Sequence, residues 1–137
     1  MSLEKTLFVA MPFAEEFWDV WKVIDMAAKA VAVRALRVDM LPQVENIHDT
    51  IFRTIENSDA LLADLTGANI NVGMEVQYAR GHKKPLILIT QNANDLPFDL
   101  KVYRAIIYQN SEKSLEILRK RLVDAIQAAV NHTNPAT

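Results

Sequence analysis

The sequence predicts an α/β fold, a three-layer sandwich in which helices cover both faces of a five-stranded parallel sheet. Short apolar runs of strand length recur at residues 6–11, 35–40, 60–65, 85–90 and 105–108. Between most of them lie segments with apolar residues at helical spacing, bounded by Pro, Gly, Asn or Ser. Strand and helix alternating in this way build a parallel sheet with right-handed crossovers.

Residues 6–11, TLFVAM, make the first strand, which Pro12 ends. Residues 15–32 follow as a helix, with Phe17, Trp18, Trp21, Ile24, Ala28 and Val31 at helical spacing and two acids at its start. The second strand, 35–40, is closed by Pro42. Asn46 caps a helix through about residue 57, with Ile47, Ile51 and Ile55 on one face. Residues 60–65 form strand three. A helix over 72–82 takes Asn71 as its cap and stops near Gly81. Strand four is 85–90. Residues 91–101 are turn-rich and hold Pro97 and Asp99. Strand five is 105–108. Ser111 then caps a last helix, striped by Leu115, Leu118, Leu122, Ile126 and Val130. Five strands in this succession imply a flavodoxin-like (Rossmann-like) order, 2-1-3-4-5. No repeat or linker breaks the chain, so residues 1–137 read as one domain with a flexible tail at 132–137.

Composition narrows the function. The net charge is −2 and no long run of Lys or Arg occurs, which argues against a nucleic-acid polymer as partner. There is no cysteine, and His48, His82 and His132 fit no metal-binding spacing, so no metal is expected. No apolar stretch reaches the roughly 18 residues of a membrane span and no signal peptide is visible, so the expectation is a cytoplasmic protein that meets no membrane.

The chemistry-bearing residues gather after strands one and three. The first βα loop (Met11, Pro12, Phe13) has no glycine, and no Walker lysine pattern exists. An ordinary dinucleotide or P-loop site is therefore not expected, and no cofactor is assigned. Glu15 and Glu16 would repel a phosphate there, whereas Phe13 is either core or a surface for stacking a flat base. After strand three come Asp64, the polar loop Thr66, Gly67, Asn69 and Asn71, then Gly73 and Glu75. That loop lies where open α/β sheets bind ligands, outside the carboxyl ends of the strands. Glu75 reads as about the fourth residue of its helix, where the dipole favours an ionised carboxylate. Spacing alone fits either a nucleophile or an ordinary helix-start acid. Asp64 either acts on substrate or caps the loop that follows it. Arg104 and Asp99 are expected to pair at the edge of the site.

The string NVGMEVQYARGHKKPLILIT at 71–90, with SDALLADLTGAN at 58–69, resembles the nucleoside 2-deoxyribosyltransferase-like superfamily. That superfamily includes deoxyribosyltransferases, nucleotide N-glycosidases and, more distantly, TIR-type NAD-cleaving domains. VAMPF at 9–13, PFDL at 97–100, Arg104 and Tyr108 are similar to one bacterial branch of it, so the resemblance spans about residues 6–108. It implies that Glu75, within Gly73-Met74-Glu75 and ahead of Ala79, attacks the anomeric carbon of an N-glycoside. It implies a sugar contact six residues earlier, where the family has Asp or Ser and this chain has Asn69. It implies an acid near the leaving base, for which Asp49 is the nearest match and Asp64 the rival. It also implies a small-molecule nucleoside or nucleotide as partner and a homo-oligomer, dimer or higher. Phe17, Trp18 and Trp21 give the first helix an aromatic surface suited to a subunit contact. Two other readings compete with N-glycosidic hydrolysis or transfer: a non-catalytic nucleotide-binding module, and a TIR-like module that works by self-association.

Overall fold

A computed structural model describes residues 4–37, 46–101 and 103–132. In chain order the elements are β1 (Lys5–Ala10), α1 (Trp18–Ala30), β2 (Val33–Arg37), α2 (Ile47–Asn57), β3 (Ala60–Asp64), α3 (Ile70–Gly81), β4 (Leu86–Thr90), β5 (Ala105–Ile107) and α4 (Glu112–Val130). All five strands are parallel, in the order β2-β1-β3-β4-β5. This is the order the sequence implied.

Alternation along the strands divides the core into two layers. Leu7, Val9, Leu62, Ile87 and Ile89 face one way, against Ile24 of α1 and Leu118 and Leu122 of α4. Phe8, Ala10, Leu61, Ala63 and Leu88 face the other, against Ile55 of α2 and Val72, Val76 and Ala79 of α3. Fully burying each large side chain contributes about 1.5–3 kcal/mol. Because β1 lies centrally, the chain leaves it toward β2 and later returns to β3 on its other side. The loops after β1 and β3 therefore diverge at their carboxyl ends, the place where such sheets open a crevice.

Several boundaries differ from those the sequence predicts. The helix expected over 15–32 begins as a 3-10 turn, Glu15–Phe17, and becomes α-helical at Trp18. It ends at Ala30 because Ala32 takes a left-handed conformation (φ 60°). β2 begins two residues before its expected start; the expected residues 38–40 and Pro42 lie outside the described residues, as do 133–137 of the tail. α3 starts at Ile70, with Asn69 rather than Asn71 as its cap. Gly81 stays helical, and the left-handed residue that closes α3 is Lys83 (φ 58°). The turn-rich segment 91–101 holds two 3-10 turns, Ala93–Asp95 and Phe98–Leu100. Among the described residues no helix is long and apolar enough to cross a membrane.

Candidate active site

The loop between β3 and α3 is tightly constructed. Thr66–Ala68 forms a 3-10 turn in which Gly67 sits at φ 80°, a conformation that costs glycine least. The Gly67 N–H donates to Asp95 Oδ2 at 2.8 Å, which ties this turn to the one after β4. The Asn69 Oδ1 then accepts from the N–H groups of Asn71 (2.9 Å) and Val72 (3.2 Å). Two otherwise orphaned donors are satisfied and the helix is fixed to start at Ile70. Asn69 thus spends its carbonyl oxygen on the helix and retains its amide N–H groups. Asn71 is exposed.

With that start, Glu75 is the sixth residue of α3, in its second turn rather than its first. The dipole, which acts within the first turn, holds its charge less firmly than expected. Burial dominates instead: desolvation pushes the Glu75 carboxyl up to about 7. A carboxyl raised this far toward neutrality is of the kind that functional sites often use.

The seam between α2 and α3 sets the level of Glu75 against α2. The rings of Phe52 and Tyr78 stack with centroids 4.3 Å apart and planes 16° apart. His82 stacks on the other side of Tyr78 at 4.4 Å, and its Nε2 meets Glu56 Oε1 at 3.2 Å. Tyr78 lies three residues after Glu75, and Phe52 three residues after Asp49. Both helices follow strands of the same direction and run alike. Glu75 and Asp49 thus each stand one helical turn before the stacked pair on their own helix. Asp49 is exposed there, in the first turn of α2.

Asp64 stands apart from that seam. It has no exposed surface and, two positions on from Leu62, faces the α1/α4 layer. Its Oδ1 accepts from the N–H (3.0 Å) and Oγ1 (2.6 Å) of Thr66, and its Oδ2 accepts from the Tyr108 hydroxyl. Gln91 completes the cluster by donating from its N–H to Thr66 Oγ1 (3.0 Å) and from Nε2 to the Tyr108 hydroxyl (3.2 Å). Burial raises the Asp64 carboxyl against the lowering effect of these bonds, and burial followed by the Asp64 charge raises the Tyr108 phenol. The four side chains brace the ends of β3, β4 and β5. Of the two rival acids, Asp64 is committed to this cluster on the α1/α4 face of the sheet, and Asp49 stands exposed on α2. Asp64 does hold the loop that follows it, as one of its two sequence readings had it.

The first βα loop contributes Met11, buried; Pro12, partly buried; and Phe13, 58% exposed. That exposure removes the core reading of Phe13. Its ring lies 5.9 Å from the Arg37 guanidinium, which also faces Trp18 (5.8 Å) and Trp21 (5.0 Å). Trp21 is buried and Trp18 about half exposed. A hollow of about 750 Å³ opens beside the start of α3, lined by Phe52, Asn69, Ile70, Gly73, Met74 and Tyr78 among others. Its size suits a small molecule. Asp99 accepts from Gln77 Nε2 (3.2 Å) and Arg80 Nη1 (3.0 Å). Its expected pairing with Arg104 is therefore replaced by one with Arg80, whose position on α3 points it toward the turn that carries Asp99. Among the described residues no cluster of three or more His, Cys, Asp or Glu is disposed to hold a metal.

Sequence reasoning missed Gln91 and Asp95 and met Tyr108 only as part of a motif. A tyrosine closing an apolar strand was the available signal, since a buried phenol needs a hydrogen-bond partner. Gln91 and Asp95 lie in turns, where polar residues are ordinary.

No protein-family model matches the chain, and no curated protein matches it in sequence. Solved structures do match in fold. A 2-deoxyribosyltransferase from Bacillus psychrosaccharolyticus superposes with a TM-score of 0.62 at 14% identity, covering 80% of this chain and 95% of its own. A diflavin flavoprotein A3 from Nostoc sp. gives 0.63 at 11%, covering 93% and 95%. The TIR domains of the activated Roq1 resistosome give 0.54 at 10%, covering 95% and 86%. At these identities the likeness is one of fold: a flavodoxin-like and Rossmann-like three-layer sandwich.

Proposed function

We propose that the protein cleaves or transfers the N-glycosidic bond of a nucleoside, nucleotide or NAD-like small molecule, with Glu75 as nucleophile. The observation that carries this reading is a desolvated glutamate, its carboxyl pushed up to about 7, on the helix whose start borders a hollow of small-molecule size. Two carboxyl groups in different surroundings are what a retaining route requires. A Glu75 oxygen attacks the anomeric carbon as the bond to the base breaks. Asp49 delivers a proton to the departing base, directly or through one water. The glycosyl ester on Glu75 then passes its sugar to water, making the protein a hydrolase, or to a second base, making it a transferase.

Other residues have supporting parts in this reading. The Asn69 amide donates to a sugar hydroxyl, and Gly73 lets the ligand approach the first turn of α3. Met11 and Pro12 border the ligand and Phe13 stacks on its base. Thr66, Gly67 and Asn71 shape the loop. Asp99 fixes Gln77 and Arg80 at the rim, and Asp64 acts as a brace. Of the aromatic residues expected to form a subunit contact, Phe17 and Trp21 are core, and a second copy of the chain packs near the exposed Trp18 to complete a homo-oligomer. The fold shared with a 2-deoxyribosyltransferase is compatible with this chemistry.

The test is chromatographic. The purified protein is incubated with pooled nucleosides, deoxynucleotides and NAD, and the products are separated. The reading expects a free base or nicotinamide to accumulate. Recovery of every substrate intact, with one of them bound, overturns it in favour of a binding module.

A further inference from the structure

At the opposite edge of the sheet, where β4 and β5 begin, lies a groove of about 770 Å³. It is lined by Arg80, Lys83 and Lys84, from the end of α3 and the turn after it, and by Arg104 and His132. Leu86, Ile106 and Ala125 supply apolar surface between them, and Tyr103 adds a ring 5.9 Å from the Arg80 guanidinium. Among the described residues no Asp or Glu lines it. In a chain of net charge −2, four Arg and Lys around one acid-free hollow make a local positive potential.

Two of these cations are engaged elsewhere. Arg80 holds Asp99 at 3.0 Å, and the Lys84 ammonium donates to the Glu56 carbonyl at 2.7 Å. Lys83 and Arg104 are exposed and form no ion pair among the described residues. Nor are the lysines needed to finish α3. The N–H groups of His82, Lys83 and Lys84 already serve the carbonyls of Tyr78, Ala79 and Arg80. Arg104 precedes β5 and belongs to no helix.

We propose that this groove is a second small-molecule site, separate from the Glu75 seam, which binds a phosphate monoester carried on a flat apolar ring. Lys83 and Arg104 hold the phosphate, and the ring lies over Tyr103, Leu86 and Ile106. The volume falls within the roughly 300–1,000 Å³ of small-molecule sites. Two charge-assisted contacts give the anion its place, while the apolar surface gives preference for a ring over a bare ion.

Phenyl phosphate is the probe. It is titrated into the isotopically labelled chain and followed by amide NMR shifts, with inorganic phosphate, phenol and a nucleoside monophosphate in parallel. The expected result is saturable shifts at Lys83, Arg104, Ile106 and Ala129 that weaken with salt, and weaker binding of phosphate or phenol alone. A nucleoside monophosphate that binds more tightly than phenyl phosphate identifies the ring as a base, and the reverse order identifies a simpler aryl body; either supports the site. Lys83→Gln/Arg104→Gln lowers the affinity roughly tenfold or more with an unchanged melting temperature. Glu75→Ala leaves it unchanged. Shifts confined to the α2–α3 seam, equal affinity in the double variant, or inorganic phosphate binding as tightly as phenyl phosphate would overturn the proposal.

Discussion

The Phe52 ring of α2 lies flat on the Tyr78 ring of α3, 4.3 Å between centroids, one helical turn beyond Asp49 and Glu75 respectively. The stack fixes the level of the two helices, and with it the relation of the two carboxyls proposed to carry the chemistry.

Removing the stack should therefore damage turnover more than stability alone explains. Phe52→Ala is expected to cost about 2–4 kcal/mol, since this ring is only partly buried, and to lower kcat at least tenfold at temperatures where the variant remains folded. Tyr78→Phe keeps the stack and should keep kcat within about twofold. Steady-state kinetics below the melting temperature of each variant is the check. Equal kcat values in Phe52→Ala and the wild type would separate the stack from the site.

The pH dependence follows from the raised Glu75 carboxyl. A nucleophile must be ionised, so kcat/KM should rise as pH increases through about 7 and flatten above it. Stability moves in the opposite sense. Desolvation makes the folded state hold the Glu75 proton more tightly than the unfolded chain does. That contribution is fully present below about pH 4.5 and is lost as pH rises through about 7. Glu75→Gln should accordingly raise stability at pH 8, by on the order of 1–3 kcal/mol, and leave it unchanged at pH 4. Denaturant melts at the two pH values decide it; a variant destabilised equally at both would contradict the burial argument.

Asp64 and Tyr108 should behave as structure. Tyr108→Phe leaves the buried Asp64 one donor short and is expected to cost about 1–3 kcal/mol. Asp64→Asn should also lower the melting temperature yet retain most of kcat, whereas Asp49→Asn should keep the melting temperature and lose roughly 100-fold or more in kcat. Paired calorimetry and kinetics on the two variants test this. The reverse pattern would return the proton-donor role to Asp64.

Asn69 serves two ends that substitution can separate. Asn69→Ala loses the cap of α3, worth about 1 kcal/mol, together with the amide proposed for the sugar. Asn69→Asp keeps the cap acceptor and exchanges donors for charge, so stability should recover while the preference among sugars changes. Competition between ribo- and deoxyribonucleosides reads the second effect.

The sheet was legible because its strands are apolar runs of the right length, and their order follows from alternation with helices. The caps of α2 and α4 were legible for a local reason: Asn46 and Ser111 each stand directly before an uninterrupted helical pattern. α3 was misjudged because Asn69 and Asn71 both suit a cap, and only the path of the turn at Gly67 selects the earlier one. That two-residue difference moved Glu75 out of the first turn and replaced a dipole argument with a desolvation one. The Asp64–Tyr108 contact joins residues 44 apart in sequence, and the Arg80–Asp99 pair needed the turn after β4, so no local pattern encodes them.

The most direct measurement compares base release by the wild type with that by Glu75→Ala, each shown by thermal unfolding to be folded at the assay temperature. The account predicts release by the wild type and a loss of roughly 1,000-fold or more in the variant. Equal release from both would contradict the assignment of Glu75 as nucleophile.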